Sequence, residues 1–221
     1  MKKYLWFFLL IGILAVGGTI YFYNSNSKSG SNYNAEKSNF NNISNTNTQS
    51  DFNTSNPIYN HTKKTTVEKE IASYSTKIQN KKDKNRQSNI TITCSSLNDT
   101  IVKSGETFSF CDTVGPSTEE RGYKKANVII QGTETKGLGG GNCQVSSTLY
   151  NAVLSIPNEL EVIERHPHSA PVPYIKEGKD AAISYGSHDF KFKNNTNSDI
   201  KIIASNTVDN INIKIIKLIK E

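Results

Sequence analysis

Two short stretches carry most of the chain's reactive side chains. In the first, Gly137-Leu138-Gly139-Gly140-Gly141 removes nearly all side chains and leads into Asn142-Cys143. Val145, Leu149, Ala152, Val153 and Ile156 then recur as one apolar stripe at helical spacing, and Pro157 ends the run. At about 100° per residue, Cys143 falls opposite that stripe, on a polar face shared with Ser146, Ser147 and Tyr150. It also falls in the first helical turn, where unpaired amides point outward and the macrodipole favours an anion. That setting suits a nucleophilic thiol. The glycines let a ligand approach the backbone closely, so Gly139, Gly140, Gly141 and Gln144 join Ser146, Ser147 and Tyr150 as candidate substrate contacts. A tight turn followed by a small buried cysteine fits the same residues.

The second stretch is Glu164-Arg165-His166-Pro167-His168-Ser169-Ala170-Pro171-Val172-Pro173-Tyr174, which holds two of the chain's four histidines. A neutral imidazole can accept or deliver a proton near neutral pH. Pro167, Pro171 and Pro173 restrict the backbone and hence where the side chains point. An exposed turn with incidental histidines is the competing reading. His61 is read as incidental, and His188 as structural. A third group, Asp112, Glu119, Glu120, Arg121 and Tyr123, reads as a solvated loop. In a catalytic alternative, Arg121 or Arg165 binds a sugar carboxylate. Paired carboxylates at a glycosidase separation are not legible from spacing.

The elements that must position these groups are short. Val67, Ile71, Tyr74 and Ile78 follow helical spacing, although Ser and Thr content leaves a strand open. Ile90, Cys94 and Leu97 share one helical face, while Ile90-Thr91-Ile92-Thr93 could alternate as a strand. Strands are expected at 100–103, 107–110, 126–131, 161–165, 181–185, 189–193, 199–204 and 210–218. The last three read as an antiparallel meander turning near Asn194-Asn195 and Asp209-Asn210. The class is α+β, with a mixed or antiparallel sheet, a few helices and a C-terminal β-meander.

Of the 221 residues, residues 64–221 are read as that domain. Residues 4–23 carry no charge and follow Lys2 and Lys3. Their length suits a membrane-spanning helix, and the lysines hold its N-terminus in the cytoplasm. Residues 1–23 therefore read as a single-pass anchor, with the domain outside the cytoplasm; a cleaved signal peptide and secretion are the alternative. Residues 24–63 are rich in Asn and Ser and read as a flexible tether. The net charge is +6, which suits anionic wall polymers or headgroups, but the lysines are scattered. No nucleic-acid signature is present. The three cysteines show no metal-ligand spacing, so no metal and no cofactor are expected. Outside the cytoplasm a disulfide is permitted, and an odd count leaves one thiol unpaired within the chain.

The run Gly139-Gly140-Gly141-Asn142-Cys143-Gln144-Val145-Ser146-Ser147-Thr148-Leu149-Tyr150-Asn151-Ala152 resembles the signature of VanW-like proteins. So do Glu164-Arg165, His168-Ser169, Pro171-Val172 and Tyr174, followed by Gly178 and Asp180-Ala181. Arg86 with Asn89-Ile90, Gly105-Glu106, Phe108-Ser109-Phe110, Val114-Gly115-Pro116, Gly122-Tyr123, Ala126 and Asp189-Phe190 extend the resemblance over about residues 72–204. It implies an exported or membrane-anchored cell-envelope protein of the kind found mostly in Gram-positive bacteria, without implying antibiotic resistance here. The sequence departs from the family pattern at Cys94 and Cys111. A Cys94–Cys111 disulfide would fit an oxidising exterior and leave Cys143, which matches the motif, free.

The leading expectation is an enzyme acting on a cell-wall polymer or anionic glycan. As a hydrolase or transferase, Cys143 attacks, His168 moves the proton, and the amides of residues 139–141 steady the oxyanion. Glu164, Arg165, Ser169 and Tyr174 support them. As a lyase, His168 or Tyr174 removes a proton next to a carboxylate, Arg165 or Arg121 stabilises the charge, and Cys143 is structural. The alternative is a non-catalytic module that binds wall glycan or organises envelope assembly.

Overall fold

The computed structural model describes residues 65–130 and 133–221. The expected anchor over residues 1–23 and the expected tether over residues 24–63 lie outside the described residues. No helix among the described residues is long and apolar enough to cross a membrane.

The elements run β1 (Thr66–Lys77), α1 (Lys84–Leu97), β2 (Thr100–Val102), β3 (Thr107–Ser109), α2 (Phe110–Val114), β4 (Lys125–Ile130), β5 (Thr133–Leu138), α3 (Asn142–Leu154), β6 (Leu160–Glu164), β7 (Lys191–Asn194), β8 (Asp199–Asn206) and β9 (Asn210–Lys220). The strands form an antiparallel sheet ordered β1-β9-β8-β2, a three-stranded sheet β3-β7-β6 and the hairpin β4-β5. The class is α+β with antiparallel sheets and few helices, as the sequence implies.

The large sheet follows from alternation. Ile211, Ile213 and Ile215 of β9 and Ile200, Ile202 and Ala204 of β8 are buried, while Asn212, Lys214 and Lys201 point away. The covered face packs on α1 and α3. Each buried isoleucine contributes about 1.5–3 kcal/mol by leaving water. Phe108, Phe190 and Phe192 extend the core under the small sheet, with Phe108 and Phe192 stacked at 4.9 Å.

Three expectations are corrected. Residues 66–77 form β1, the strand that their Ser and Thr content left open, rather than the helix their spacing suggests, and pair with β9 along its length. A bulge between Glu70 and Ala72 shifts the register, after which Ala72, Tyr74 and Thr76 alternate inward. The extra residue breaks the period of two and mimics helical spacing. The C-terminal meander is also broken. β8 and β9 form the expected hairpin, but β7 lies between β3 and β6. Its end is redirected by Asn194, whose buried amide donates to the carbonyls of Val102 and Ser198 and accepts from the Thr196 amide. Residues 181–185 make isolated bridges, His166 with Ala182 and Ser184 with His188, rather than a strand.

Some features had no counterpart in the sequence reading. β5 pairs with β4 in a hairpin. Helix α2 begins at Phe110, where a strand was expected to continue. Ser109 caps it by accepting the Asp112 amide.

Candidate active site

Helix α3 is the centre of the site, and it is enclosed on nearly every side. Ser146, Ser147 and Gln144 are fully buried, so the face opposite the apolar stripe does not meet water. It carries a strap. Ser146 donates to the Ala181 carbonyl at 2.5 Å, the Ala181 amide donates to Ser147 Oγ at 2.9 Å, and Asn151 donates to the Lys179 carbonyl at 2.6 Å. These bonds fix residues 179–181 along the helix, with Asp180 between two of the anchors. Ser146 and Ser147, expected as substrate contacts, are therefore positioning residues. Tyr150 likewise packs against Phe190 and lies under the Arg165 guanidinium.

The glycine loop permits close contacts. Asn89 of α1 donates to the Gly140 carbonyl, and a Cβ on Gly140 would stand 2.6 Å from the Asn127 carbonyl oxygen. Gly141 has φ +117° and a Cβ there would meet Ile90 Cγ1 at 2.7 Å. Gly141→Ala is expected to destabilise the protein by about 1–3 kcal/mol, read as a lower urea midpoint. Within the loop, the Asn142 amide bonds the Gly139 carbonyl and the Gln144 amide the Gly141 carbonyl. Among the described residues, no backbone carbonyl accepts the Cys143 amide in the first helical turn.

The strap and the proline loop converge on Asp180, which is 6% exposed. One carboxylate oxygen, Oδ2, accepts the His168 amide at 2.6 Å and lies 2.6 Å from His168 Nδ1. The other, Oδ1, accepts Arg165 Nη2 at 2.6 Å, and Arg165 Nε donates to the Asp180 carbonyl. Asp180 was quoted in the family pattern without a role, and its role was missed. With Nδ1–H held by the carboxylate, His168 Nε2 is the basic nitrogen. It lies 3.4 Å from the Tyr174 hydroxyl, while the Cys143 thiol donates to the Ile183 carbonyl at 3.6 Å and lines the same cleft as the ring.

Electrostatics follow from this packing. Burial favours neutral His168, yet Cys143 and Asp180 more than offset it and hold its pKa above the ordinary 6.5. Burial also opposes ionised Asp180, but the His168 bonds and the Arg165 charge bring its pKa below the usual range. Burial pushes the Tyr174 phenol upward, so it stays protonated. A lowered carboxylate pKa adds stability that is lost as pH falls through the folded value. A raised histidine pKa adds stability that is complete below 6.5 and lost as pH rises through the folded value. Urea midpoints are expected to decline on both sides, and His168→Gln to remove the alkaline decline. A wild-type midpoint flat from ~pH 6 to ~pH 9 would contradict this assignment.

Cys143 and His168 face a cleft of about 760 Å³, bounded by the glycine loop, the β4-β5 hairpin and the proline loop. Gly139, Gly140, Gly141, Gln144 and Tyr174 also line it. Other expected site residues do not. Arg165 is tied to Asp180. Glu164 lines a second hollow, where Lys191 and His166 hold its pKa down to about 2. His166 meets His188 edge to face, with ring centroids 4.4 Å apart. Arg121 donates to the Pro116 carbonyl and sits over Tyr123. Ser169 is exposed outside the cleft lining. The Cys94–Cys111 bond is not formed. Both thiols are free and buried, in the helical core and beside the His188 carbonyl respectively, and burial pushes each up to about 12. The missed cleft residue is Arg86, which projects from α1 and donates to Gln144.

Comparison with known proteins places this geometry. A family model described as VanW like protein matches residues 85–216, more than half of the chain. The chain belongs to the VanW-like family. The uncharacterized protein YoaR of Bacillus subtilis (strain 168) is 42% identical over 125 residues, 57% of this chain and 41% of that protein. The vancomycin B-type resistance protein VanW of Enterococcus faecalis (strain ATCC 700802 / V583) is 35% identical over 123 residues, 53% of this chain and 44% of that protein. The chain thus spans less than half the length of these curated relatives. No solved structure matches it. The VanW-like region contains Arg86, Cys143, His168, Tyr174 and Asp180.

Proposed function

We propose that this VanW-like chain is a membrane-anchored, extracytoplasmic thiol enzyme that cleaves or transfers an acyl bond carried by a cell-wall polymer. The observation that carries the reading is the Cys143–His168–Asp180 series. A buried carboxylate orients an imidazole through Nδ1, and that ring shares one cleft with a thiol at the start of a helix. The envelope location rests on the apolar N-terminal stretch, and the wall substrate on the resistance named for one relative.

Cys143 Sγ attacks the acyl carbon as His168 Nε2 takes the thiol proton. The S–C bond forms, the Cys143 amide donates to the oxyanion, and His168 returns the proton to the leaving amine or alkoxide as its bond to carbon breaks. Water, or an acceptor amine or hydroxyl, then cleaves the thioester with His168 as base. Asp180 steadies the imidazolium. The lyase version fits less well, because Tyr174 is held protonated and Arg165 is occupied. Incubation with purified wall fractions tests the choice. New amine, alcohol or transferred acyl product supports the thiol enzyme. New ultraviolet absorbance that survives loss of Cys143 indicates a lyase, and binding without turnover indicates a wall-glycan-binding or assembly module.

A further inference from the structure

The acyl-transfer steps leave one charge in the cleft without a task. Arg86 sits in the first turn of α1 and lines the cleft with Cys143 and His168. Its Nη2 donates to Gln144 Oε1 at 2.9 Å. Gln144 cannot turn to release it. Gln144 is fully buried, and its Nε2 donates to Thr76 Oγ1 and to the Lys77 carbonyl. Reversing the amide would place oxygen against that carbonyl and a donor against the guanidinium. The Arg86 stem rests on Gly141, where a Cβ would lie 3.5 Å from Arg86 Cγ. The head is therefore fixed by Gln144 and the stem by the glycine loop.

Among the described residues, no carboxylate lies within ion-pair distance of Arg86; the ion pairs use Arg165, lysines and histidines instead. The two acids that line the same cleft are engaged elsewhere. Asp83 caps α1 by accepting the Arg86 amide, and Glu134 accepts from Asn127. Loss of water is the largest influence on the guanidinium, and it works against the charge. A held, partly desolvated guanidinium presents a planar fork of donors, of which Gln144 takes one. Carboxylates match that fork in two parallel bonds, and an ammonium cannot reproduce it.

We infer that Arg86 is a specificity-determining residue that binds a carboxylate of the acyl substrate beside the carbonyl attacked by Cys143. The inference rests on Cys143 being the nucleophile. The substrate class is an acidic acyl compound, such as a peptide whose free carboxylate lies close to the scissile bond.

Two alkylating agents of nearly the same size test this on the full-length protein. Iodoacetate carries a carboxylate next to its reactive carbon, and iodoacetamide carries a neutral amide there. Each forms an S–C bond at Cys143 and expels iodide, with the thiol proton passing to His168 or solvent. Peptide mass analysis follows Cys143 separately from Cys94 and Cys111. The wild type is expected to favour iodoacetate, relative to the iodoacetate-to-iodoacetamide ratio of a free cysteine, and to saturate with it. Arg86→Gln is expected to lower that ratio about tenfold, the size of one charge-assisted hydrogen bond. Arg86→Lys is expected to fall between them. Because the readout is a ratio, a general loosening of the site affects both reagents and cancels. A rapid iodoacetamide reaction with a wild-type ratio equal to free cysteine, unchanged in Arg86→Gln, overturns the carboxylate site and leaves the nucleophile standing. Iodoacetamide modification no faster than that of free cysteine overturns the nucleophile itself.

Discussion

Asp180→Ala is expected to lower the unfolding free energy by about 3–5 kcal/mol, the usual cost of removing one partner from a buried ion pair. The carboxylate is 6% exposed and receives Arg165, the His168 amide and the His168 ring. Removing it leaves Arg165 Nη2 and the His168 amide without the acceptor they share in a largely buried site. For a domain of this size the melting temperature should fall by roughly 6–20 °C. Asp180→Asn separates structure from chemistry. It keeps the shape and one acceptor oxygen, so its melting temperature should fall less. It can no longer hold the Nδ1–H tautomer by charge, so alkylation of Cys143 should slow as much as in Asp180→Ala. A melting temperature unchanged in Asp180→Ala would mean that the strap is held by Ser146, Ser147 and Asn151 alone.

Cys143→Ser is expected to reduce turnover of the wall substrate by about a thousandfold or more, since losing the nucleophile removes the whole acyl-transfer route. Cys143 is partly exposed at the cleft, and serine is close in size, so the melting temperature should barely move. An acyl adduct is expected on the wild-type protein by mass analysis and should be absent from Cys143→Ser. Full turnover by Cys143→Ser would sink the thiol mechanism and return the choice to a lyase built on His168.

The sequence by itself determined helix α3, strands β8 and β9 and the two reactive stretches. The apolar stripe from Val145 to Val153 specifies α3, and the glycines before it place Cys143 in the first turn. Alternating isoleucines specify β8 and β9, because a period of two has one side to bury. These readings succeed where a residue's own neighbours decide its conformation. The family pattern also lies in the chain order.

The tertiary structure decided how the parts meet. Ser146 and Ser147 read as an open polar face because helical angle says nothing about what covers a face; the strap over residues 179–181 does so and satisfies both hydroxyls. Arg165, Glu164 and Arg121 were plausible cleft residues by type, yet each is bound to groups distant in sequence or in its own loop. Asp180 and Arg86 had no local signal, since their chemistry depends on His168 twelve residues away and Gln144 fifty-eight away. The bulge in β1 and the Asn194 turn were likewise invisible, because register and sheet membership are set by partner strands. Local pattern fixes which groups are available; long-range packing fixes which of them are buried, paired and aimed at one another.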